Sequence, residues 1–167
     1  MKKIIVLIGV LSLTLSLFAQ APYSSAFGGR IEINSNTTFL GFTYKHFTDA
    51  NKSFEVIALS DFKNGVEFYG LYQYNGIIPD FPPKLRWIVG GGVNLGTWSG
   101  YGDNLVLGLT GMLGVEYSFD EIPLNLGLDW KPIVDLVSNK DQRFWPSKFG
   151  ISIRYTIKNA KNGKKGK

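Results

Sequence analysis

The chain has 167 residues, of which 20 are glycine and 14% aromatic; it contains no cysteine and carries a formal charge of +5. Abundant aromatic and β-branched residues exclude a disordered chain. The missing cysteine excludes a disulfide scaffold, thiol chemistry and a lipoprotein anchor, and this much glycine disfavours a helical bundle.

The first segment reads as an export signal. Lys2 and Lys3 precede an apolar run from Ile4 to Phe18, and Ala19-Gln20-Ala21 offers small residues at a peptidase site. Cleavage after Ala19 or after Ala21 is expected. The first leaves Leu17 at the outer recognition position and the second leaves Pro22 beside the cut. Residues 1–19 are therefore set apart as the signal peptide, 22–157 as the folded unit and 158–167 as a basic, disordered tail. The tail holds five lysines and no acid, so with Lys2 and Lys3 the two ends supply the excess positive charge. The stretch between them is slightly acidic. The pI of about 9.3 is thus no footprint of a nucleic-acid surface.

Beyond the signal the pattern has period two, the signature of pleated strands. Ile31 and Ile33 lie between Arg30, Glu32 and Asn34. Leu40, Phe42 and Tyr44 alternate with Gly41, Thr43 and Lys45. The stretch Phe54 to Phe62 is strand-like, but its two faces are not distinguishable. Val66, Phe68, Tyr72 and Tyr74 alternate with Glu67, Tyr69, Leu71 and Gln73. Leu85, Trp87, Val89, Val93 and Leu95 alternate with Arg86, Gly90, Gly92, Asn94 and Gly96, with Ile88 and Gly91 as interruptions. The clearest run extends from Leu105 to Phe119, and Leu124 to Lys131 and Lys148 to Ile157 repeat it. Eight strands are predicted over roughly 27–35, 38–47, 53–61, 65–75, 85–98, 104–119, 123–131 and 147–157. Every proline after Pro22 falls in a predicted connector, Pro123 where the connector from Asp120 meets the seventh strand; the longest connector is Pro132 to Pro146.

Eight strands without helices predict an all-β, antiparallel up-and-down barrel. A soluble carrier would turn its apolar face inward; a transmembrane barrel turns it to lipid. Residue choice favours the transmembrane form. Aromatic residues gather toward strand ends as two expected interfacial girdles, namely Trp87, Tyr117, Phe119, Trp130, Phe149 and Tyr155. The opposite faces are rich in glycine, which makes room in a narrow lumen for Arg30, Lys45, Arg86, Lys131 and Arg154 against Glu32, Glu67, Glu116 and Asp129. This near balance predicts a salt-bridged, plugged interior, with Glu116 and Asp129 partnered by Arg154 and Arg30.

In its C-terminal strand the chain has Lys148 with Gly150 two positions on, followed by Ile153 and Tyr155 two apart, and it carries Gly70-Leu71-Tyr72, the Trp87 to Gly92 stretch, and Gly114 to Leu126 followed by Asp129-Trp130-Lys131-Pro132. In these features, and over the whole of 22–157, it resembles the small eight-stranded outer-membrane β-barrel proteins of Gram-negative, particularly Bacteroidetes-type, bacteria, barrels of OmpA and OmpX size. The resemblance implies an outer-membrane location, surrounding lipid, a monomer, and recognition of the terminal strand by the barrel-assembly machinery through Lys148, Gly150, Ile153 and Tyr155. It implies no cofactor and no assigned activity. The chain departs from the group in its basic tail and in a connector of about ten residues between the fourth and fifth strands.

Catalytic chemistry has little support in the sequence. His46, the one histidine, has Thr48 and Asp49 nearby, and a lipid A deacylase-like hydrolase is the enzymatic alternative. The expected His-x-Ser-Asn run is absent, and no enzyme is expected. A soluble barrel binding an apolar ligand is the other alternative. No metal site is expected, and the apolar residues within 132–147 are expected to pack at the barrel mouth.

Overall fold

A computed structural model of the chain describes residues 21–34, 37–63, 65–79, 84–98, 104–137, 144–145 and 148–158. The signal peptide, both of its cleavage sites but for Ala21, and the tail beyond Lys158 lie outside these residues. The strands are β1 (Ser25–Ile33), β2 (Thr38–Phe47), β3 (Lys52–Ser60), β4 (Gly65–Ile77), β5 (Leu85–Trp98), β6 (Asn104–Ser118), β7 (Leu124–Trp130), β8 (Ile133–Val137), β9 (Phe144–Trp145) and β10 (Phe149–Ile157). All pairings are antiparallel, and β10 meets β1. β7 and β8 lie end to end along β6 as a seventh barrel strand, while β9 and β10 form the eighth. The result is a closed, eight-stranded up-and-down barrel, which leaves no sheet edge unpaired.

Residues 132–137 and 144–145 differ from their sequence reading as a loop. Alternation continues through Pro132: Lys131 and Ile133 are buried, and Trp130 and Val134 are exposed. Proline has no N–H to give the ladder, so the hydrogen bonding breaks there while the wall continues. Ile133 to Val137 are apolar because they belong to that wall. The interruptions at Ile88 and Gly91 are likewise not structural. The β4–β5 register runs unbroken from Gly65↔Trp98 to Ile77↔Arg86, so Ile88 faces inward and Gly91 outward. β4 also extends past its predicted end, which shortens the connector before β5.

Partners Phe149, Trp130, Leu113, Val89, Tyr74 and Lys52 form one cross-strand row. It begins beside Ile33, at the end of β1, and reaches the first residue of β3 at the opposite rim. The strands are therefore steeply tilted, as closure of a narrow barrel requires. At the rim where β1 begins and β10 ends, the strand ends are level. At the other rim β5, β6 and β8 stand about 10 Å above the ends of β1–β3, given ~3.3 Å per residue and a tilt near 40°.

The two faces of the wall differ in composition. Outward positions carry Phe42, Val93, Leu109, Leu113, Leu128 and Ile151, all exposed. The one charged outward strand residue among those described is Lys52, at a strand end. Inward positions hold an apolar cluster of Phe39, Ile57, Leu59, Tyr69, Leu71, Ile88, Met112 and Ile133, together with the remaining strand charges. At the level rim, Lys84 Nζ lies 2.6 Å from Asp120 Oδ2 and joins two connectors. This hydrogen bond raises the lysine above its ordinary pKa, though an exposed pair adds little stability.

Candidate functional site inside the barrel

Alternation places side chains from β1–β8 and β10 in the lumen, and many of these side chains are long. Six buried cations (Arg30, Lys45, Arg86, Lys131, Lys148 and Arg154) share the interior with six buried acids (Glu32, Glu55, Glu67, Glu116, Asp129 and Asp135). Charges removed from water need partners, and the groups assemble into three tiers.

Nearest the high rim, the Arg30 guanidinium forks onto Asp129, with Nη1–Oδ2 at 2.7 Å and Nη2–Oδ1 at 2.6 Å. It also donates to Ser152 Oγ at 2.9 Å and to Glu32 Oε2. The same Glu32 oxygen lies 2.7 Å from Lys131 Nζ, which sits 3.5 Å from the centre of the Tyr69 ring. Lys148 donates to both oxygens of Glu67 and to the Tyr69 hydroxyl. In the middle tier, Arg154 pairs with Glu55 and donates to Asn125 Oδ1 at 3.0 Å, while Thr43 and Gln73 donate to Glu55. Toward the level rim, Lys45 Nζ lies 2.8 Å from Glu116 Oε2 and 2.7 Å from Asn75 Oδ1. Arg86 reaches the Ala50 carbonyl at 3.2 Å.

Two of the acids read from sequence have different partners from one another: Asp129 binds Arg30, but Glu116 binds Lys45, and Arg154 goes to Glu55. The tilt explains this, because groups at equal height are not at equal positions along their strands. Glu55, Lys148 and Asp135 are lumen groups that the sequence reading did not place there. Glu55 sits on a strand with apolar residues on both faces. Lys148 precedes β10, and Asp135 falls in the supposed loop. In the terminal strand, Lys148 and Gly150 point inward, whereas Ile153 and Tyr155 are exposed on the outer wall. Of the aromatic set, Trp87, Tyr117, Phe119 and Tyr155 lie toward the level rim. Trp87 packs at a tilt on Tyr74 and Tyr155 on Phe27, and Tyr117 meets Phe119 edge-on. Trp130 and Phe149 are direct cross-strand partners higher on the wall.

Gly150 shows why a side chain is excluded from part of the lumen. A Cβ there would lie 1.8 Å from Arg30 Nη2. Gly150→Ala must push the guanidinium off Asp129, and a destabilisation of about 1–3 kcal/mol is expected from overpacking. Chemical unfolding of the refolded variant measures it; wild-type stability would show that Arg30 relaxes freely.

His46 faces outward, and its Nδ1 lies 2.9 Å from Ser25 Oγ, the residue directly across from it on β1. Ser25 Oγ is also 3.3 Å from the Tyr44 hydroxyl. The neighbours suggested by sequence turn elsewhere: Thr48 donates to the Lys52 carbonyl and Asp49 accepts from Ala50 N. Among the described residues no carboxylate pairs with His46, and none form a cluster that could hold a metal ion.

No family model matches the chain, and no curated protein matches it significantly. Among solved structures, it is similar to the N-terminal β-barrel domain of Pseudomonas aeruginosa OprF, with a TM-score of 0.62 at 15% sequence identity, over 81% of this chain and 100% of that one. This likeness shows the fold.

Proposed function

We propose that the protein is an outer-membrane barrel, exported by its N-terminal signal, that acts in the cell envelope through its surfaces and not as an enzyme or an open pore. One observation carries the reading. Among the described residues, the strands present apolar side chains outward with Lys52 as their one outward charge, while six cations and six acids are buried within. In water that arrangement is inverted. In lipid it is the favourable one, because a closed barrel pairs its backbone groups internally and lipid covers the apolar wall.

A plugged lumen is supported by the large side chains buried across it, among them Arg30, Arg154, Tyr69, Phe39 and Lys131. The hydrolase alternative is disfavoured by where its candidate groups turn: Thr48 and Asp49 bond to the Lys52 carbonyl and to Ala50 N, and His46 meets Ser25. Lipid surrounds a monomer in this reading. The exposed Ile153 and Tyr155, with Lys148 and Gly150 on the inner side, form the strand presented to the assembly machinery.

Fractionation of expressing Gram-negative cells tests the proposal. The protein is expected in the outer membrane, with gel migration that changes on boiling and a mass lacking the first 19 or 21 residues. Recovery as a soluble monomer without detergent overturns it.

A further inference from the structure

The layer of side chains next to the level rim is polar and short, yet it is dry. Ser53 and Asn75 have no exposed surface although they lie within three residues of their strand ends, and Thr156 and Ser118 are also buried. Strand-end serines and asparagines beside an open mouth would be wet, so something covers them.

One element that lies at this mouth is the stretch just before β1. Ser24 is tied on both sides, its N–H donating to the Ile157 carbonyl and its carbonyl accepting from Phe47 N, each at 2.9 Å. Tyr23 then turns inward instead of continuing along the wall, and only 3% of its surface is exposed. Its ring meets Phe47 edge-on at 5.0 Å, and Ala26 and Ala21 complete the cluster. Its hydroxyl crosses the lumen to Glu116 on β6 and donates to Oε2 at 3.2 Å. That oxygen also holds Lys45. Arg86 lies over the other side of the same cluster, 5.9 Å from the Phe47 ring centre. The aromatic ring thus spans the opening while its hydroxyl reaches the buried ion pair beneath.

We propose that residues 22–24 form a strap that seals the level-rim mouth, with Tyr23 as its bolt and Glu116 as its catch. The strap closes the lumen independently of the ion pairs deeper in the barrel. It keeps solutes from the Lys45–Glu116 tier, and displacing it exposes that tier to water.

The chain has no cysteine, so a single introduced thiol reports access. Ser53→Cys places it under the strap. The full chain, folded in detergent, is labelled with a small charged methanethiosulfonate, so the readout does not depend on where the barrel resides in a cell. Labelling is expected to be slow with Tyr23 present and to accelerate about tenfold or more in Tyr23→Ala, since closure then loses both a buried hydrogen bond and ring packing. Tyr23→Phe keeps the ring without the tether, and a smaller acceleration is expected. Boiling-dependent migration identifies the folded barrel in each case. If Tyr23→Ala does not fold, the Tyr23→Phe rate decides. An unchanged rate in a folded variant overturns the strap, as does fast labelling with Tyr23 in place.

Discussion

Replacing Arg30 with methionine is expected to cost about 3–5 kcal/mol of barrel stability, the range found when one member of a buried ion pair is removed. The guanidinium is a hub of its tier. It holds Asp129 through two short hydrogen bonds, shares Glu32 with Lys131, and anchors Ser152. Methionine fills much of the volume but leaves the Asp129 carboxylate buried without this partner. Urea unfolding of the barrel in detergent or vesicles measures the loss. Arg30→Met combined with Asp129→Leu removes both charges, and its cost should fall well below the sum of the two single changes, because contacting residues are not additive. A cost for Arg30→Met below about 1 kcal/mol would show that water reaches Asp129.

The outer wall makes the opposite demand. Leu113→Arg is expected to cost about 2–4 kcal/mol in a bilayer, the penalty for an arginine near the midplane of a barrel wall. Leu113 is 53% exposed and lies between Val89 and Trp130, away from both rims. Leu105 lies at the high rim, and arginine there should cost less because it reaches the interface. The decisive comparison is refolding into lipid vesicles across this pair and Lys52→Ala, which should be nearly silent. Equal small effects at all three positions would mean that lipid does not contact this wall, and would favour a soluble barrel.

How much of this was legible in the sequence depends on the chemistry of each strand's two faces. From Leu105 to Ser118 leucines and valines alternate with glycine, threonine and glutamate, so strand and facing could both be read. Lys52 to Ser60 has Phe54, Val56 and Ala58 outside and Ile57 and Leu59 inside. With apolar residues on both faces, its direction was invisible and Glu55 went unassigned. Pro132 hid a continuous strand, because a break in hydrogen bonding reads like a turn although the wall passes through it. The ion pairs were less accessible still. The charged residues can be assigned to the lumen by parity, but who meets whom depends on tilt and stagger, a property of the closed barrel. Ser25 and His46 show the same limit: they are neighbours only because β1 and β2 pair in this register.

The uneven rim has a mechanical consequence. A lipid lamella has one thickness, whereas this wall has two heights, the lower along β1–β3 and the higher along β5–β8. Leu105, Leu107, Leu136 and Val137 keep the higher side apolar close to its top. Embedded in lipid, such a body either leans or thickens the film along one flank, at a cost of a fraction of a kcal/mol per Å of mismatch. The strain is one-sided, so the barrel has a front and a back in the plane of the membrane.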